Sequence, residues 1–163
     1  MSVEITDFAD VHQRLSELGL PNASGLTLLP ANLTSASSCE DLLQASEAAT
    51  VRSLFRSAGL EFSELPDRAH RIRYIQNNAA DWVGPTILVA GSLWSQNPLV
   101  ISVALSVIGN YLTDIFKGMK QPSAKLDFIV EKTKDGTYKR LTYEGDADGI
   151  VALEEVLRGL ANE

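Results

Sequence analysis

The 163 residues predict an α+β chain, mainly helical over its first two-thirds and closed by a β-hairpin and a helix. Three observations support this. Apolar residues recur at helical spacing in several N-terminal segments. Residues 82–113 run for 32 positions without a charge. Asp135-Gly136 then separates two alternating segments, the strongest short hairpin signal a sequence carries. A single domain over 1–163 accommodates all three, with 1–117 mainly helical around a central uncharged helix and 125–160 as a ββα unit.

Taken in order, TDFADVHQRLSELGLP predicts a helix capped by Thr6 or Asp7, with Phe8, Val11, Leu15 and Leu18 as its stripe. Gly19 and Pro21 stop it. GLTLLP predicts a short strand, and NLTSASS a loop that brings Ser38 to the start of a helix in SCEDLLQAS. The spacing of Val51, Leu54, Phe55 and Ala58 predicts a helix over 47–58, ended by Gly59. LEFSEL alternates like a short strand. Asp67 then opens an expected helix through DRAHRIRYIQNNAADW, with Ala69, Ile72, Ile75 and Ala79 in line. PTILVAGSLWS reads as a short helix begun by Pro85, or alternatively as a buried strand.

Residues 98–117 predict a helix of about 20 residues, roughly 30 Å long. It carries a narrow polar seam at Ser102, Ser106, Asn110 and Thr113, continued by Lys117. A helix apolar around most of its girth is normally buried. The seam faces water or lets another helix approach closely. Membrane insertion is the third alternative, and Asn110 and Asp114 weigh against it. In the hairpin, a two-residue turn at Asp135-Gly136 sets Val130 opposite Leu141, Phe128 opposite Tyr143 and Glu131 opposite Arg140. Asp146 caps the last helix, whose Ile150, Leu153, Leu157 and Leu160 cover the hairpin's apolar face.

Composition narrows the functions. The net charge is −7, which disfavours nucleic acid and anionic membranes as partners. Seven acids against one base in residues 1–50 supply most of it. A single cysteine, Cys39, rules out an intramolecular disulfide and suits a reducing compartment. No secretory signal opens the chain, so the expected location is the cytoplasm.

Catalytic signatures are sparse. His12 and His70 are the only histidines, neither within a motif, and no G-x-S-x-G elbow, phosphate loop, dinucleotide fingerprint or H-E-x-x-H helix is present. Two scattered histidines do not make a zinc site, and no cofactor is expected. GDADG departs from the calcium-loop pattern at Ile150 and Val151, and its aspartates read as helix caps. RAHRIR is the one basic cluster: Arg68, Arg71 and Arg73 would contact an anion or an acidic partner surface, or simply face solvent.

An uncharged helix, a short basic linker and the segment LDFIVEKTKDGTYKRLTYEGDADGIVALEEVL follow one another over about residues 98–160. In that order they resemble the small effector-associated components encoded beside NTPases, proteases and toxins in bacterial conflict systems. The resemblance implies a non-enzymatic adaptor in defence or signalling. The expected function is therefore an accessory protein acting through a protein partner or self-association, with the seam as candidate interface. The alternatives are a small enzyme built on Cys39 or a histidine, and a protein anchored in a membrane through residues 85–117.

Overall fold

The computed structural model describes residues 1–67, 70–76 and 81–163. Its centre is a mixed six-stranded sheet of order β1-β8-β7-β6-β2-β4. These strands are β1 (Ser2–Phe8), β2 (Leu26–Leu29), β4 (Ser63–Glu64), β6 (Trp82–Val89), β7 (Ala124–Glu131) and β8 (Tyr138–Gly145). A small second sheet pairs β3 (Leu43–Ala45) with β5 (Arg73–Ile75) in parallel. The helices are α1 (Val11–Glu17), α2 (Ala48–Ser57), α3 (Leu93–Gln96), α4 (Leu99–Ile115), α5 (Ala147–Val151) and α6 (Glu154–Ala161).

The first two-thirds is therefore strand-rich, which corrects the expectation of a mainly helical region. Among the described residues, six of the eight strands lie before residue 90. Three local reasons stand out. Phe8 ends β1, and Asp10, not Thr6 or Asp7, caps α1 by accepting from the Gln13 amide at 3.1 Å. Residues 82–89 form the strand β6, since an apolar run covered on both faces needs no alternation. Ser38 begins only a 3-10 turn at Cys39–Asp41, after which β3 replaces the expected helix. Of the helix expected from Asp67, residues 73–75 form β5; Arg68, Ala69 and 77–80 lie outside the described residues.

The sheet is covered on both faces. One core joins Ile87, Val89, Leu126, Phe128, Val130, Leu141 and Tyr143 to the buried sides of α2, α4, α5 and α6. On α4 that side is Val100, Ile101, Ala104, Leu105, Ile108 and Leu112, a clean helical stripe. Gly109 belongs to it because a Cβ there would stand 2.8 Å from Val151 Cγ2, so only glycine lets α5 come this close. The other face packs Leu88, Ile129 and Tyr138 against α1 and the segment 29–42. Arg14 fastens that segment, donating from Nε to the Leu33 carbonyl at 2.7 Å and from Nη2 to the Ala36 carbonyl.

The hairpin has the expected faces in a different register. Phe128 stands opposite Leu141, Leu126 opposite Tyr143 and Glu131 opposite Tyr138. The slip is two residues, so every side chain keeps its face. The loop is longer than two residues: the Lys132 amide donates to the Thr137 carbonyl at 2.8 Å, enclosing four residues. Asp135 Oδ1 accepts from the Thr137 amide at 3.0 Å and its hydroxyl at 2.7 Å, and Gly136 takes φ +68°. The expected Glu131–Arg140 pair does not form. Arg140 binds Asp127 at 2.7 Å instead.

Helix α4 is 17 residues long. Among the described residues no helix is long and apolar enough to cross a membrane. Residues 85–117 do not form one continuous helix, because residues 85–89 belong to the strand β6.

Candidate interaction surface

The largest departure from a closed fold is β1. Its register with β8 runs unbroken from Ser2 opposite Glu144 to Phe8 opposite Tyr138, and among the described residues its other edge pairs with no strand. The residues from Ser2 to Asp7 are all exposed, so neither covering layer reaches over it. Val3 and Ile5 share the face of Tyr143 and Leu141, yet they remain 39% and 45% exposed. Met1 continues the strip: its sulfur lies 3.0 Å from the position a Cβ would take on Gly149. Asp7 leans inward to Lys139, whose hydrogen bond and charge hold its carboxyl below the usual carboxylate range. An extended, bulge-free edge with an apolar strip is a template for another strand.

The seam on α4 is placed less distinctively. Ser102 and Ser106 are half-buried, Asn110 and Thr113 exposed. The Thr113 hydroxyl donates to the Gly109 carbonyl at 2.9 Å and is used within its own helix. The exposed side of α4 also carries Leu99, 71% exposed, and Val103, 36% exposed. Arg73 lies on β5 and Arg71 just before it, both exposed; Arg68 is outside the described residues.

Two polar clusters join residues far apart in sequence. His12, on the first turn of α1, donates from Nδ1 to Asn22 Oδ1 and from Nε2 to Glu131 Oε2 at 3.1 Å. Tyr138 donates its hydroxyl to the same Glu131 oxygen at 3.1 Å, and the Gly91 amide donates to Glu131 Oε1 at 2.8 Å. Burial opposes charge on His12, but the bonds to Asn22 and Glu131 and the carboxylates of Glu131 and Asp10 outweigh it and raise its pKa. Burial, then the Glu131 charge, pushes the Tyr138 phenol up as well. Both ring nitrogens face oxygens, an arrangement that accommodates the imidazolium. The contact latches α1 to β7.

The second cluster is Asp127, which accepts from Arg140 Nη2 and from the Thr142 hydroxyl, each at 2.7 Å. It borders a cleft of about 190 Å³ beside Ala31, Thr86, Val83 and Gly84. The β6–β7 register shifts between Val83 and Thr86, which opens the sheet surface there. The Asp127 carboxylate is already satisfied by these two donors. Cys39 is a partly buried free thiol, and His70 is exposed beside Asp67 at 3.1 Å. Among the described residues no group of three or more His, Cys, Asp and Glu side chains is placed to hold a metal ion.

Comparison with family models, with curated proteins and with solved structures yields no match. Sequence reasoning missed the β1 edge, whose one signal was the short alternation of Val3 and Ile5. It also missed the His12–Glu131 latch, which spans 119 residues and leaves no local signal.

Proposed function

We propose that this protein is a non-enzymatic accessory or adaptor module that binds a protein chain by adding a strand to the open edge of β1. One observation carries the reading: seven residues of edge strand, Ser2 to Asp7 exposed on both faces, with Val3 and Ile5 uncovered and no bulge in the register. Strand addition draws affinity from main-chain hydrogen bonds and selectivity from alternate side chains, and a β1 edge offers both. The resemblance of residues 98–160 to conflict-system components supports an accessory role in bacterial defence or signalling. The single cysteine suits action in the cytoplasm.

The test is cross-linking mass spectrometry on the full chain isolated from its native host. Residues 1–8 should form the main cross-links to the bound protein, and Ile5→Lys should abolish its recovery while Val103→Lys on α4 leaves it unchanged. Cross-links centred on α4 and a complex that survives Ile5→Lys would overturn the strand-addition reading and favour the seam.

A further inference from the structure

We infer that the strand added to β1 is β1 of a second copy, arranged antiparallel about a two-fold axis at Ile5. The inference rests on the strand-addition reading and names its partner. A two-fold that joins identical antiparallel edges stands perpendicular to the sheet, so it pairs residues on the same face. In β1 the axis can then pass through Glu4, Ile5 or Thr6.

Length separates these three. Ile5 is the midpoint of Ser2–Phe8, so only this register pairs all seven residues of both strands. Either neighbour leaves two residues of each strand unpaired. Charge separates them in the same direction. An axis at Glu4 sets that carboxylate against its own copy, which is destabilising. An axis at Thr6 sets Glu4 against a phenylalanine, away from any cation.

The Ile5 register places Ile5 against the partner's Ile5, with each Val3 on the diagonal, and so joins the two uncovered apolar strips into one. It also sets the partner's Glu4 opposite Thr6, whose inner neighbour on β8 is Arg140. Thr6 is short, and the Arg140 side chain is 42% exposed, so the partner's carboxylate faces a cation across it. Asp7 comes opposite the partner's Val3, but its carboxylate is turned inward to Lys139. The product is a continuous twelve-stranded sheet with no like charges directly opposed at the junction.

Sedimentation velocity on the full chain, up to its highest soluble concentration, reads association. The wild type should form a dimer, and Ile5→Lys should raise its dissociation constant by at least about tenfold, equivalent to about 1.4 kcal/mol. Far-UV circular dichroism verifies that each variant is folded. The register is read separately by mild oxidation in a Cys39→Ser background. Ile5→Cys should give a covalent dimer. Val3→Cys should not, because four residues at about 3.4 Å each separate it from its copy.

A wild type that stays monomeric, with Ile5→Cys no faster to cross-link than Val3→Cys, overturns the second-copy inference. So does a dimer that is indifferent to Ile5→Lys. If a host protein is nevertheless lost with Ile5→Lys, the strand-addition reading survives without it. If that protein is retained as well, both fall.

Discussion

The two edges of the central sheet are finished in opposite ways. At one end β4 is two residues long, and its Glu64 is clamped by Arg52: Nε donates to Oε1 at 2.6 Å and Nη2 to Oε2 at 2.8 Å. The same Nη2 reaches the Tyr74 hydroxyl at 3.1 Å, tying in β5. The hydrogen bond to Glu64 raises the already high pKa of Arg52 further. At the other end β1 offers seven residues, with Glu4 and Asp7 as its only charges and, among the described residues, neither proline nor bulge nor covering helix. A short edge fixed by a bidentate ion pair is closed to other chains. A long edge with a bare apolar strip is open to them, and this contrast carries the functional reading.

The sharpest way to break the contrast is to open the closed edge. Arg52 and Glu64 side chains are only 13% and 10% exposed, so Arg52→Ala strands a carboxylate with little water to replace its partner. Removing one member of a fully buried pair costs at least about 3 kcal/mol, a figure that sets the upper limit for this partly buried one. Urea denaturation of Arg52→Ala should show a loss approaching that limit, while association through β1 is unchanged. A loss under about 1 kcal/mol, the scale of an exposed pair, would mean that the clamp is not what finishes this edge.

The legibility of the two ends in the sequence differs for physical reasons. Helix α2 was legible because Val51 and Phe55 carry its buried face and Gly59, at φ +73°, ends it. Helix α4 was legible because its stripe is long and continuous. The hairpin's faces followed from alternation, but its register did not, since the Asp135 bonds that set a four-residue loop leave the facing pattern unaltered. β1 was obscured by coincidence of spacing. Phe8, Val11, Leu15 and Leu18 stand three and four apart, which satisfies a helical stripe although Phe8 closes a strand. An edge strand with two exposed apolar residues gives too weak an alternation to compete. β6 was obscured by the opposite cause: it is buried on both faces and has no period to read. Of the candidate site residues, those of the seam lie together on α4, whereas the open edge needed the sheet order to be seen.

A smaller effect tests how the open edge is anchored. His12 lies just beyond β1, and its latch to Glu131 fixes the point where the chain turns into α1. The folded pKa of His12 is raised, so its contribution to stability is full below the unfolded value of about 6.5 and is lost as pH rises through the folded value. The groups facing it are Glu131, Asp10, Asn22 and Tyr138, and the raised phenol pKa keeps Tyr138 protonated throughout this window. The His12 side chain is 39% exposed, so solvent screening keeps the contribution below about 1 kcal/mol. Chemical denaturation should show wild type losing stability relative to His12→Gln as pH rises from below 6.5, with the gap closing above the folded pKa. A gap that widens with pH would reverse the assignment of imidazolium as the latched form.

The smallest expected effect is the one that keeps the two edges distinct. Ile5→Lys should change the stability of the isolated monomer by no more than about 0.5 kcal/mol, as for a surface position away from the core. The reasoning is geometric: Ile5 is 45% exposed, β8 beneath it is already paired to β7, and a lysine stem can lie along the strip while its ammonium stays in water. The new charge also falls on a chain of net charge −7, which favours the variant slightly. Thermal melts must be made at a dilution where wild type sediments as a monomer, so that lost association is not counted as lost stability. A fall of 2 kcal/mol or more under those conditions would show Ile5 to be part of the core, well above what an exposed position contributes. β1 would then be a structural edge like β4, and its exposed strip would lose its claim to a partner.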